Sequence, residues 1–159
     1  MLYSTKVTIT TLIFFSLLAT VERVGAVTSD VAMVANPVTP VDSLTLGEAR
    51  RIFLGEQTTW SPALPVILLL GEPRTHARSV ALRTVYRMSE PEFNQYWIVR
   101  MFRGETNGGP KTVSSNVVAQ LVRQLPGCVT FVDAAEITTG MKVIRIDGKL
   151  PGDPGYPLK

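Results

Sequence analysis

Pro65-Val66-Ile67-Leu68-Leu69-Leu70, followed by Gly71-Glu72-Pro73-Arg74-Thr75-His76-Ala77-Arg78-Ser79-Val80-Ala81, carries the reading of the fold. The first six residues form a continuous apolar run, too short for a typical helix and bounded by proline and glycine. That pattern predicts a strand covered on both faces. Beyond it the period changes. Ala77, Val80, Ala81 and Val85 recur at helical spacing, so 75–87 reads as a helix with those side chains inward. A strand buried on both sides and running into a helix is the repeating unit of an α/β sheet.

Working toward the amino terminus, Thr45-Leu46-Gly47-Glu48 pairs a hydroxyl with a carboxylate three residues on, a capping box that satisfies two orphaned backbone donors. Leu46, Ala49, Ile52 and Phe53 then share one helix face, and Gly55 is placed to end the helix at positive φ. Before it, 31–35 is a short apolar run closed by Asn36-Pro37, which predicts a buried strand and a Pro-rich loop through Val41.

Toward the carboxyl terminus, Ser89-Glu90-Pro91-Glu92 is a second capping box with proline in the first turn, where its missing N–H costs nothing. Phe93, Trp97 and Met101 follow at spacing four and read as core, with Gly104 closing the helix. Asn107-Gly108-Gly109-Pro110 is a loop, and 111–113 a brief strand. Ser114 or Ser115 caps a helix carrying Val118, Leu121 and Val122 that stops at Pro126-Gly127. A strand over 128–132, a loop over 133–140 and a closing strand over 141–146 complete the pattern. The tail from Gly148 reads as irregular. The whole predicts an α/β fold, a mixed sheet flanked by helices.

The first 26 residues read differently. Lys6 heads an apolar block from Val7 to Ala19 that is interrupted by Glu22 and Arg23 before it reaches the roughly 20 apolar residues a bilayer span needs. Small or β-branched residues at Val24 and Ala26 suit a signal peptidase, so cleavage after Ala26 and a periplasmic or secreted location are expected. The organisation is then a signal peptide over 1–26, one domain over 27–148 and a tail over 149–159. No cysteine near the cut offers a lipid attachment point. The chain carries a net charge of +3 with no basic run, which argues against nucleic acid as a partner. Its single cysteine, Cys128, lies in an apolar strand-like segment and reads as an inert buried thiol, so the core must hold without an internal disulfide.

Catalytic patterns are lacking. There is one histidine, His76, no Gly-x-Ser-x-Gly and no metal-ligand spacing, so neither an enzyme, a metal site nor a cofactor is expected. The better candidate is an anion site where the helix after the central strand begins. Free N–H groups and the positive dipole end favour an anion there. The hydroxyls of Thr75 and Ser79 and the guanidiniums of Arg74 and Arg78 could complete a cradle for phosphate or a related oxyanion. A plain cap on Thr75 with solvated arginines is the alternative. Ser114 and Ser115, at a second hydroxyl-rich helix start, could face the same crevice at the carboxyl ends of the strands.

The order of segments also resembles a known family. Val34-Ala35-Asn36-Pro37, Val41-Asp42-Ser43-Leu44-Thr45-Leu46, Arg50-Arg51-Ile52-Phe53-Leu54-Gly55 and Thr59-Trp60, then Tyr96-Trp97 and Phe102-Arg103-Gly104, then Pro126-Gly127-Cys128-Val129 and Val143-Ile144-Arg145-Ile146-Asp147-Gly148, are similar to the phosphate-binding proteins of ABC importers, and more closely to their short single-domain relatives. The resemblance implies a periplasmic-binding-protein-type, type II-like domain, phosphate as a ligand and an ABC permease as a partner. It also places Thr75-His76-Ala77-Arg78 where full-length members carry a phosphate-holding Ser-Gly-Thr-Arg-like turn. The other half of the family's clamshell is missing, so a homo-oligomer or an envelope partner would have to cover the site. The competing expectation is a degenerate binding fold that serves as an envelope accessory module without a small ligand.

Overall fold

The computed structural model describes residues 30–159; the expected signal peptide lies outside the described residues. Six strands form one mixed sheet in the order β2-β8-β1-β7-β5-β6. These are β1 (Val31–Ala35), β2 (Ser43–Leu44), β5 (Ile67–Gly71), β6 (Lys111–Val113), β7 (Cys128–Asp133) and β8 (Lys142–Ile146), while β3 (Thr59–Ser61) and β4 (Leu64–Pro65) pair as a separate small ribbon. β1 runs antiparallel to both β7 and β8, whereas β5 runs parallel to β6 and β7. The helices are α1 (Leu46–Phe53), α2 (His76–Val80), α3 (Glu90–Phe102) and α4 (Ser115–Gln124).

Alternation along the central strands divides the core between the two faces of the sheet. Val31, Met33 and Ala35 of β1 join Val129, Phe131 and Leu70 in a cluster under α1, α2 and α3. Ala32 and Val34 join Leu69, Cys128 and Val132 beneath Val118 and Val122 of α4. Leu69 and Leu70 thus bury on opposite sides, as a strand covered on both faces requires. Cys128 is buried, and desolvation pushes its thiol up to about 12.

Local chemistry sets the helix boundaries. Thr45 N donates to Glu48 Oε2 at 2.7 Å and Glu48 N to Thr45 Oγ1 at 3.1 Å, closing the first capping box; Ser89 and Glu92 close the second in the same way. Gly55 and Gly104 follow α1 and α3 at φ of 72° and 70°.

Three expectations need correction. The helix predicted over 75–87 is α2 running into a π-helix, Ala81–Tyr86, which ends at Arg87 in the left-handed region. Met101, expected beside Phe93 and Trp97 in the core, is 46% exposed, because the last turn of α3 turns Arg100, which donates to the Leu54 carbonyl, toward the protein and leaves Met101 and Phe102 outward. The strand expected over 65–70 is divided at Val66, so that Pro65 belongs to β4. At the break the partner changes, Val66 N donating to the Thr58 carbonyl and Ile67 N to that of Gly127, which has φ of 79° and whose Cβ, if present, would lie 2.0 Å from the Pro65 carbonyl oxygen.

The segment after Gly148 has no helix or strand, yet it enters the core. Tyr156 and Leu158 are buried, the Tyr156 hydroxyl donates to the Val31 carbonyl at 2.8 Å, and Val31 N donates to the Leu158 carbonyl at 2.9 Å. No helix among the described residues is long and apolar enough to cross a membrane.

Candidate functional site

The carboxyl ends of β5, β6 and β7 converge on a crevice of about 250 Å³. Gly71, Val113 and Asp133, the last residues of those strands, border it. So do the first residues of α2 and Ser115 at the start of α4. Val118, Phe131 and Val132 give it an apolar floor. Strand ends facing helix starts are where open α/β sheets place ligands.

Only part of the expected anion site meets there. Thr75 and Ser115 line the crevice, as does His76. Thr75 is committed to capping: its hydroxyl donates to the Glu72 carbonyl at 2.9 Å and accepts from Arg78 N at 3.4 Å. Gly71 makes that cap possible, since a Cβ there would sit 2.9 Å from Thr75 Oγ1. Ser79 turns its hydroxyl back onto the Thr75 carbonyl at 2.9 Å, and with Arg74 it borders a separate surface depression. Arg74 is exposed, at φ of 72°. Ser114 is the N-cap of α4, and its hydroxyl bonds Asn116 Oδ1 instead of capping the helix.

Arg78 is the largest departure. Expected among the ligand's donors, it is only 4% exposed. Its Nε donates to Glu90 Oε2 at 3.0 Å and its Nη1 to the Gly71 carbonyl at 2.9 Å; Nη2 completes a two-pronged pair with Glu90. The guanidinium also lies 5.2 Å from the centre of the Phe93 ring. Three of its five N–H donors are spent in this way, and its burial keeps the fork from a solute in the crevice. It ties the end of β5 to the start of α3 and so braces one wall of the crevice from behind.

Sequence reasoning missed the acids on the opposite wall. Asp133, the last residue of β7, and Glu136, in the 3-10 turn after it, both line the crevice. His76 Nδ1 lies 2.6 Å from Asp133 Oδ1, so the Nδ1 proton points at the carboxylate. The signal that could have found Asp133 was its place at the end of a buried strand in an α/β sheet. Among the described residues, no lysine or arginine lines the crevice. Among the described residues no group of three or more His, Cys, Asp or Glu side chains could hold a metal ion.

Comparison with solved structures places the fold. The chain is similar to a protein from Clostridium perfringens described as a phosphate ABC transporter substrate-binding protein with bound phosphate (TM-score 0.61, 16% identity, 77% of this chain and 46% of that one). It is also similar to an ABC-type phosphate transport receptor from Vibrio cholerae (0.60, 17%, 77% and 48%) and to PstS from Borrelia burgdorferi (0.57, 12%, 77% and 49%). The fold is therefore that of phosphate ABC transporter substrate-binding proteins, a mixed sheet flanked by helices, and the chain spans about half the length of the structures it matches. No protein-family model matches the sequence, and no curated protein matches it.

Proposed function

We propose that this chain uses a solute-binding fold as an envelope interaction module, not as a carrier of phosphate. The observation that carries the reading is the charge on the crevice: two carboxylates line it, while of the two guanidiniums expected to answer an anion, Arg78 is bound to Glu90 and Arg74 borders a separate depression. Magnitudes support this reading. A helix start favours an anion by about 0.3–1 kcal/mol. Like unit charges ~4 Å apart near a protein surface repel by up to about 4 kcal/mol at an effective dielectric of 20. His76 offsets part of the Asp133 charge only when protonated. The apolar run over 7–19 supports placing the module outside the cytosol, where an ABC permease or another envelope protein would be its partner.

A second reading, a weak oxyanion site for uptake, draws on the α2 and α4 starts opening on one crevice and on the bound phosphate in the Clostridium structure. Calorimetry of the protein with phosphate, sulfate and molybdate separates the two. The charge argument expects no binding by the unaltered protein and a phosphate-dependent rise in Tm in the double variant Asp133→Asn, Glu136→Gln. Sub-millimolar phosphate binding by the unaltered protein would overturn the interaction-module reading and establish the oxyanion site.

A further inference from the structure

The outer face of α3 is apolar and lies in water. Among the described residues, three of the exposed large hydrophobic side chains fall within residues 98–102: Ile98, Met101 and Phe102, the last 88% exposed. Pro91, Gln95, Ile98 and Phe102 recur at intervals of four, three and four, so they line up along one side of the helix, away from Phe93 and Trp97 in the core. That interval is the one by which two helices pack along a shared seam.

Beside this stripe runs an open groove of about 960 Å³ that shares no residue with the crevice at the strand ends. Pro91 and Gln95 belong to both stripe and groove, and Met88 and Val99 add apolar lining. The groove also carries opposite charges at opposite ends of α3. Glu92 stands in the first turn and Arg103 just past the last, about three helical turns away and therefore on the same flank. Neither is strongly engaged. Among the described residues, Glu92 answers the Ser89 cap through Oε2 alone, and the Arg103 ion pair is one long contact to Glu105 at 3.8 Å.

This pattern is complementary to itself when reversed. A second copy laid antiparallel on the first, about a twofold axis through the middle of α3, sets Glu92 of each copy opposite Arg103 of the other. The same operation carries Phe102 of each to the Pro91 end of the other's groove. A twofold contact uses one patch on both copies, so it requires a patch whose two ends match each other in charge and shape. A lipid surface fits less well, because it would have to receive the carboxylates of Glu92 and Glu105 along with the ring.

We infer that the outer face of α3 binds a second copy of this chain in antiparallel register, the Phe102 ring of each seated in the other's groove against Met88 and Pro91. Sedimentation equilibrium over a concentration series is expected to show a reversible monomer–dimer equilibrium. Phe102→Ser, at a position too exposed to support the fold, is expected to weaken the dimer roughly thirtyfold, the loss of a buried aromatic anchor. Arg103→Glu sets like charges opposite Glu92 and is expected to weaken it roughly fivefold, and adding Glu92→Lys to that variant restores association. A protein that sediments as a monomer at millimolar concentration overturns the inference. So does a dimer that Phe102→Ser leaves intact, or a charge reversal that the second substitution fails to rescue. Phe102-dependent capture by phosphatidylglycerol vesicles, with no dimer in solution, also overturns it and gives the face to a membrane.

Discussion

The guanidinium of Arg78 answers both Glu90 oxygens and the Gly71 carbonyl from a position almost closed to water. Truncating it strands those acceptors. Breaking a fully buried pair costs about 3–5 kcal/mol, and because the Glu90 side chain is about a third exposed, Arg78→Ala is expected to destabilise by about 2–3 kcal/mol. Urea denaturation measures this. Arg78→Lys should recover little, since an ammonium cannot make the fork. A variant as stable as the unaltered protein would show that the brace does not matter. The sequence could not reveal this role. Arginine is rarely buried, and a residue three positions after an N-cap reads as surface until its partner is known; that partner, Glu90, lies beyond an intervening π-helix.

At the scale of the elements, the two capping boxes were legible because both halves of each lie within four residues. Their carboxylates also make a pH prediction. Hydrogen bonds from Thr45 hold the Glu48 carboxyl below its usual value, and those from Ser89 do the same for Glu92. A carboxyl depressed by folding stabilises the fold fully above its unfolded pKa, and that stability is lost as pH falls through the folded value. Unfolding midpoints should therefore fall between about pH 5 and pH 3. The Thr45→Ala, Ser89→Ala double variant should show a shallower fall and lose about 1 kcal/mol per cap at neutral pH. An unchanged slope would show that these carboxylates are not linked to folding. The π-helix escaped notice because its buried residues keep a spacing close to helical; β2, β3 and β4 have only two or three residues each, too few to show a period.

For the whole molecule, the alternation of strands and helices was enough to give the fold class, but not which strands would be neighbours. Nothing local marks β1 as lying between β7 and β8, or the last residues as core. The Pro- and Gly-rich tail looked irregular and is irregular, yet it seals the sheet through Tyr156 and Leu158. Burying side chains of that size contributes about 1.5–3 kcal/mol each, so ending the chain at residue 153 should destabilise by about 4 kcal/mol and expose apolar surface to a hydrophobic dye. A truncated chain that melts where the full one does would show that the tail only rests on the surface.

The position of β1 also has a kinetic meaning. Both of its partners lie about a hundred residues downstream, so this strand is made long before either neighbour exists to pair with it. Such high contact order slows folding and postpones closure of the sheet until β7 and β8 have been made. Until then β1 keeps both of its hydrogen-bonding edges open, and the sheet lacks the centre on which its two faces pack.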